Sequence, residues 1–222
     1  MSDIEQLKQI AEETIAGSSK WLWDRSRRIV RNCQLICRLG EIVRADLPIE
    51  RLCLAAAAYF SDSGFIRFAE SGQMPNGVVL SEVNVNDLRK FSTQIVTEVL
   101  AETEIEAKTD KINKIIIESN TINSKLPEAR ILSDARGLED MGAVGVFNEF
   151  RKYAFHGDGP GEAIVGYKRR IEYQYWKSRL DESFYFESVK KIAQRRFATA
   201  EAFMNQLADE NSGRDIEDMI LE

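Results

Sequence analysis

The sequence predicts an all-α protein. Apolar residues recur at three- and four-residue steps over most of the chain, and the four prolines and thirteen glycines fall between those periodic stretches. Strand-like alternation is confined to the short segment GVVLSEV.

Ile4 to Ala16 reads as a first amphipathic helix that stops near Gly17 and Ser18. A longer helix is expected from Trp21 to Ala45, because Ile29, Cys33, Ile36, Cys37, Gly40 and Val43 fall on one stripe. The sequence DLPIE breaks it, and Pro48 suits the first turn of the next. Ile49 to Phe60 is apolar almost all round, which predicts a central helix packed on several sides. SDSGF and SGQMPNGV then read as loops around a short helix at Ile66 to Glu70.

Helices are expected at Val85 to Glu102, opened by an Asn cap at Asn84 or Asn86, and at Glu106 to Glu118. Two more cover Glu128 to Asp134 and Leu138 to Phe150. YAFHGDGPGEA is the most loop-like stretch and predicts a mobile surface segment. Ile164 to Leu207 is again helical, with a break near Leu180 to Ser183. The expected organisation is an N-terminal helix over 1–20, one helical domain over 21–210, and an acidic tail over 211–222 that is either frayed or one more turn.

A chain of 222 residues is long enough for one domain with a substantial core. Its net charge of −6 opposes a main role in neutralising nucleic-acid phosphates, so nucleic acid is not an expected partner. The basic runs (Arg25, Arg27, Arg28, Arg31; Lys168 to Arg170; Lys190, Lys191, Arg195, Arg196) read as solvated helix faces. No stretch approaches the roughly 18 apolar residues of a membrane span, and MSDIEQLKQIAEETIAG has no export pattern. A soluble, cytoplasmic protein with no membrane partner is expected. Cys33, Cys37 and Cys53 then read as reduced core residues.

Several separated segments carry a family resemblance. They are DRSRRIVRNCQLI, the Ala-rich AAAAYFSDSGF, IIIESNTINSKLPEARIL, SDARGLEDMGAVGVFNEF and the long helix KKIAQRRFATAEAFMNQLADE. In order and spacing they resemble the HD-domain metal-dependent phosphohydrolase superfamily, in particular its small soluble bacterial branch, over about Trp21 to Glu210. The resemblance implies an HD-domain-like helical bundle forming a single domain. It also implies that Asp62, Gly64 and Asp134 keep family positions. Arg25, Ser61 and Arg136 stand where that family carries metal ligands, and Glu118 stands at a secondary His position.

The family's divalent metal, such as Mn, Mg or Ni, polarises phosphate and supplies hydroxide near neutral pH. Arginine stays protonated and has no lone pair to give, and serine is a poor ligand, so no cofactor is expected here. The only histidine, His156, lies in FHGDGPG and cannot rebuild an imidazole site. A replacement built only from Asp62, Glu118, Asp134, Glu139 and Asp140 would place Arg25 and Arg136 beside the cation.

The residues instead suggest an ion-pair clip in which Arg25 and Arg136 bind Asp62, with Glu118, Asp134 and Glu139 as supporting partners. The expected function is that of a phosphohydrolase homologue without catalysis, serving as a binding, sensory or scaffold protein. The first alternative is an anion or nucleotide module using Arg25, Ser61 and Arg136. A residual metal-dependent phosphohydrolase is the second. Aromatic residues in YKRRIEYQYW and SFYFE suit a core, an oligomer face or base stacking, and a homodimer or a protein partner is compatible with the apolar helix faces.

Overall fold

The computed structural model describes residues 2–71, 83–121 and 123–220. The protein is all-α, and among the described residues there is no strand. GVVLSEV and the loop SGQMPNGV fall mostly outside the described residues. The chain divides into two compact units, Met1–Arg136 and Gly137–Glu222. That division falls inside the segment read from the sequence as one domain.

The first unit begins with α1 (Asp3–Ala16), where Ser2 and Glu5 form a reciprocal cap. α2 (Lys20–Ile36) is capped by the Ser19 hydroxyl, and its core stripe runs through Leu22, Arg25, Ile29, Cys33 and Ile36. The long helix expected to reach Ala45 stops there. Three-residue turns at Arg38 and Leu39 close α2, and a separate α3 (Gly40–Arg44) follows. Glycine inside a helix costs about 1 kcal/mol relative to alanine, so Gly40 weakens a continuous path and sits instead at a start.

Pro48 does not open the next helix. α4 (Arg51–Phe60) begins three residues later, because the backbone N–H of Glu50 is held by the Glu128 carboxylate at 2.9 Å. From Cys53 to Phe60 every residue of α4 is buried, which its apolar circumference required. It packs against α1 and α2, and also against α6 (Val85–Leu100) and α7 (Thr109–Glu118). The short α5 (Phe65–Glu70) lies on α6. Asn84 caps α6 by accepting from the N–H groups of Asn86 and Asp87. A 3-10 turn at Glu106–Lys108 leads into α7, and α8 (Pro127–Gly137) ends at the division.

The second unit opens with a 3-10 turn at Leu138–Asp140 and then α9 (Gly142–His156). The segment YAFHGDGPGEA is therefore helical at both ends. α9 runs through His156 and is closed by Gly157 at φ 78°, and Pro160 starts α10 (Pro160–Glu172) from its first position. The chain then breaks twice. Gln174, at φ 52°, separates α10 from α11 (Tyr175–Glu182), and Ser183 to Phe186 lead into α12 (Glu187–Ser212). α12 packs on α9 and α10, and the tail forms a further helix, α13 (Arg214–Ile220), against α12. Among the described residues, no helix is long and apolar enough to cross a membrane.

Among the described glycines of the first unit, Gly64, between α4 and α5, is the most closely enclosed. Its N–H donates to the Ser92 hydroxyl at 2.9 Å, and a Cβ there would stand 2.2 Å from the Leu88 carbonyl oxygen. Gly64→Ala is expected to destabilise the protein by about 1–3 kcal/mol, the usual cost of forcing atoms into a packed core. A urea titration should show the midpoint falling with the slope unchanged, and an unaltered midpoint would refute the contact.

Candidate functional site

The candidate site lies where α4 ends. Ser61, Asp62 and Ser63 follow Phe60 in a tight turn, and all three are buried. A helix C-terminus presents unsatisfied carbonyls and the negative end of the macrodipole, so cationic donors are favoured beside it. The Ser61 carbonyl accepts from the Ser92 hydroxyl at 3.2 Å and also from Arg89 Nη1. The Ser61 hydroxyl donates back to the Ala58 carbonyl at 3.3 Å, the ordinary behaviour of a serine closing a helix.

Asp62 is fully buried and faces three arginines from three helices. Arg25 of α2 donates Nε to Oδ2 at 2.9 Å. On Oδ1, Arg136 of α8 places Nη2 at 3.1 Å and Arg89 of α6 places Nη1 at 3.3 Å. Asn120, just past α7, ties the second pair together: its Oδ1 accepts from Arg136 Nη1 at 3.0 Å and from Arg89 Nη2 at 3.5 Å. Helices α2, α6 and α8 and the end of α7 are thus clipped to the turn after α4.

Burial pushes the Asp62 carboxyl up, but Arg136, Arg25 and Arg89 together outweigh it and hold the group well below the usual carboxylate range. Burial, with the neighbouring Arg136 charge, brings the Arg89 guanidinium down to about 9, still charged at neutral pH. Arg25 and Arg89 are only 2% and 3% exposed, whereas the Arg136 side chain is 16% exposed and Asn120 is exposed. The cluster therefore meets solvent at the Arg136 and Asn120 edge. Two of its donors, Arg89 Nε and Arg136 Nε, are buried with no hydrogen-bond partner.

The structure brings Arg25, Ser61, Asp62 and Arg136 together and adds Arg89 and Asn120, which the sequence reading did not single out. Arg89 had a signal. It falls on the core stripe of α6 with Ser92 and Val96, where a charge must find a partner. Of the carboxylates expected to support Asp62, Glu118 has other partners. Glu118 accepts from the Ser124 hydroxyl at 2.7 Å and pairs with Lys114 at 3.8 Å. Asp134 is buried close enough to the Cys33 thiol to help raise its pKa, behind burial itself and Cys37.

In the second unit, Glu139 is buried and Asp140 pairs with Arg179 at 3.2 Å. His156 is exposed at the end of α9, edge-on to Phe155 at 5.3 Å. Among the described residues no three His, Cys, Asp or Glu side chains are grouped to hold a metal ion. A guanidinium cannot coordinate one, so the residues around Asp62 do not fit a divalent cation.

A second ionic cluster lies elsewhere in the first unit. Glu50 joins Lys108 at 2.6 Å and Lys111 at 3.0 Å, and Lys111 also reaches the buried Glu128 at 3.0 Å. Hydrogen bonds from Lys108 and Lys111 hold the Glu50 carboxyl down at about 2.

No family model matches the sequence, and no curated protein does. Solved structures do. The crystal structure of Bacillus subtilis YpgQ is 17% identical, over 95% of this chain and 97% of that one, at a TM-score of 0.59. YpgQ in complex with ADP is 15% identical, over 95% and 97%, at a TM-score of 0.58. This likeness shows the fold, an all-helical one.

Two outcomes follow from the ion pairs. Asp62→Asn leaves buried guanidiniums without their counter-charge, so urea unfolding should show a loss of about 3–5 kcal/mol. A loss below about 1 kcal/mol, the worth of a surface pair, would contradict the geometry. Asp62 and Glu50 have folded pKa values below their unfolded values of about 4. The stability they add is complete above that pH and disappears as pH falls through the folded values. Chemical denaturation should therefore give near-constant stability from neutral pH down to about 5 and a decline below about 4, which Asp62→Asn and Glu50→Gln each make shallower.

Proposed function

We propose that this protein is a degenerate HD-domain homologue that binds a phosphate-bearing ligand and does not hydrolyse it by the family's metal-dependent route. The observation that carries the reading is the charge at Asp62. Three arginines meet on one buried carboxylate, and one of them, Arg136, reaches solvent beside the exposed Asn120.

Arg136 is the residue best placed for recognition. Its planar fork suits phosphate oxygens in a bidentate pair, and it is the arginine of the three that solvent reaches. A phosphate at that edge would take Arg136 Nη1 from Asn120 and leave the Asn120 amide free to turn its N–H₂ outward. Arg25 has a different part. It is buried and holds Asp62 Oδ2, whereas Arg136 and Arg89 share Oδ1.

The sequence resemblance supports the same reading, since Arg25, Ser61 and Arg136 occupy positions that hold metal ligands in that superfamily. So does the ADP complex of YpgQ, a protein of similar fold. Arginines reproduce the attraction of a metal for phosphate but supply no activated water. The buried Arg25–Asp62 pair also favours a second reading, a pure structural clip in a scaffold protein, for which no anion is needed.

Thermal unfolding separates these readings. ADP, ATP and inorganic pyrophosphate are titrated with and without Mn and Mg, alongside a phosphate-release assay. At a hundredfold excess over Kd, a ligand stabilises by about 2.7 kcal/mol, or roughly 5–10 °C for a chain of this size. A saturable shift that Arg136→Ala weakens at least about tenfold, with no release of phosphate, is the expected result. No shift from any anion would leave the scaffold reading, and metal-dependent release would restore the enzyme.

A further inference from the structure

The second unit holds a cavity that the Asp62 site does not use. It has a volume of about 430 Å³ and lies between the end of α10, the link at Gln174, α11 and α12. That volume is within the range of small-molecule sites. Its apolar wall is Trp176 against Phe197, ring centroids 5.7 Å apart. The Arg170 guanidinium stands 5.9 Å from the Trp176 ring centre and is anchored to Glu149 of α9, so the indole is held in place from one side.

The polar lining is what an aromatic core alone does not explain. Gln174 and Gln194 both line the cavity at its exposed side, and neither side chain makes a hydrogen bond among the described residues. Glu201 lines it too and lies close enough to Tyr167 to help raise that hydroxyl, which burial chiefly pushes to about 12. Trp176 Nε1, in the wall, is buried with no partner. A donor left unpaired in an interior costs stability, and groups of this kind collect where something else supplies the acceptor. Gln174 also keeps a left-handed φ of 52°, a conformation that a non-glycine residue holds only when its surroundings impose it.

We infer that this cavity is a second binding site, and that it takes a neutral planar heteroaromatic of the nucleobase kind. The aromatic wall offers a stacking face, which every base can use. Side-chain amides present a donor and an acceptor in one plane, the pattern that reads a base edge. Charge excludes a polyphosphate as the preferred ligand. Arg170 and Lys177 among the lining residues are balanced by Asp181 and Glu201, so no surplus cation is available. Because Trp176 Nε1 is covered, the ligand engages it only as the indole or the Arg170 side chain turns.

The indole N–H resonances of ¹⁵N-labelled protein report this directly, since the chain has three tryptophans and Trp176→Phe identifies the peak of interest. Adenosine, guanosine, cytidine and uridine are titrated near their solubility limits. At least one should move the Trp176 peak saturably. The exposed Gln194→Ala should weaken that nucleoside roughly tenfold, a change of about 1.4 kcal/mol. Lys114→Ala, an exposed change in the other unit, should leave the titration unchanged. A Trp176 peak unmoved by all four nucleosides, or moved identically in Gln194→Ala, overturns the inference, and neither result bears on the Asp62 site.

Discussion

The first unit depends on one buried carboxylate. Asp62 sits at the C-terminal end of the most buried helix, with no access to water, and an ionised group in that position is tolerated only with counter-charge and hydrogen bonds. Each of its oxygens is taken by arginine, and each arginine belongs to a different helix. The requirement that stabilises one side chain therefore fixes where three helices meet. The same arginines serve the backbone: Arg89 also takes the Ser61 carbonyl, which α4 itself leaves open.

Much of this was legible in the sequence, and the reasons differ residue by residue. α4 was recognisable because a helix apolar on all sides has to be central. Asp62 was paired with Arg25 and Arg136 because the family resemblance put all three at ligand-related positions, and a carboxylate left in a core without a metal needs a cation. Arg89 was missed because DLRKF reads as an amphipathic helix with a basic face. Its burial shows only when the register is set by Ser92 and Val96, on the side that packs against α4 and α7.

The misplaced boundaries have a common physical cause. Periodicity reports which side of a helix is apolar but not whether the axis continues. The stripe that starts at Ile29 holds through Cys37 but not to Val43, which is exposed: the break after α2 shifts the register, and α3 buries Ile42 instead. The stretch YAFHGDGPGEA looked like a loop from composition, yet its glycines act singly. Gly157 closes α9 in a left-handed cap, and Pro160 is pre-set for the first position of α10. Carboxylate positions such as Glu118 were illegible for another reason. A side chain on the last turn of a helix can point along several directions, and Glu118 turns toward Ser124 rather than toward Asp62.

Exchanging metal ligands for arginines, the event that the proposed reading implies, separates two properties that a divalent cation combines. A cation attracts phosphate by its charge and makes water nucleophilic by coordination. Guanidinium groups retain the first property, with added directionality from their paired N–H donors, and lack the second entirely. They also differ in where the charge can be placed. A metal concentrates it at one point among its ligands, whereas here it is divided between buried arginines that hold Asp62 and a partly exposed Arg136 that reaches the surface. A site of that construction can be rigid at its base and adjustable at its edge, the combination expected of a pocket that recognises a phosphate and releases it unchanged.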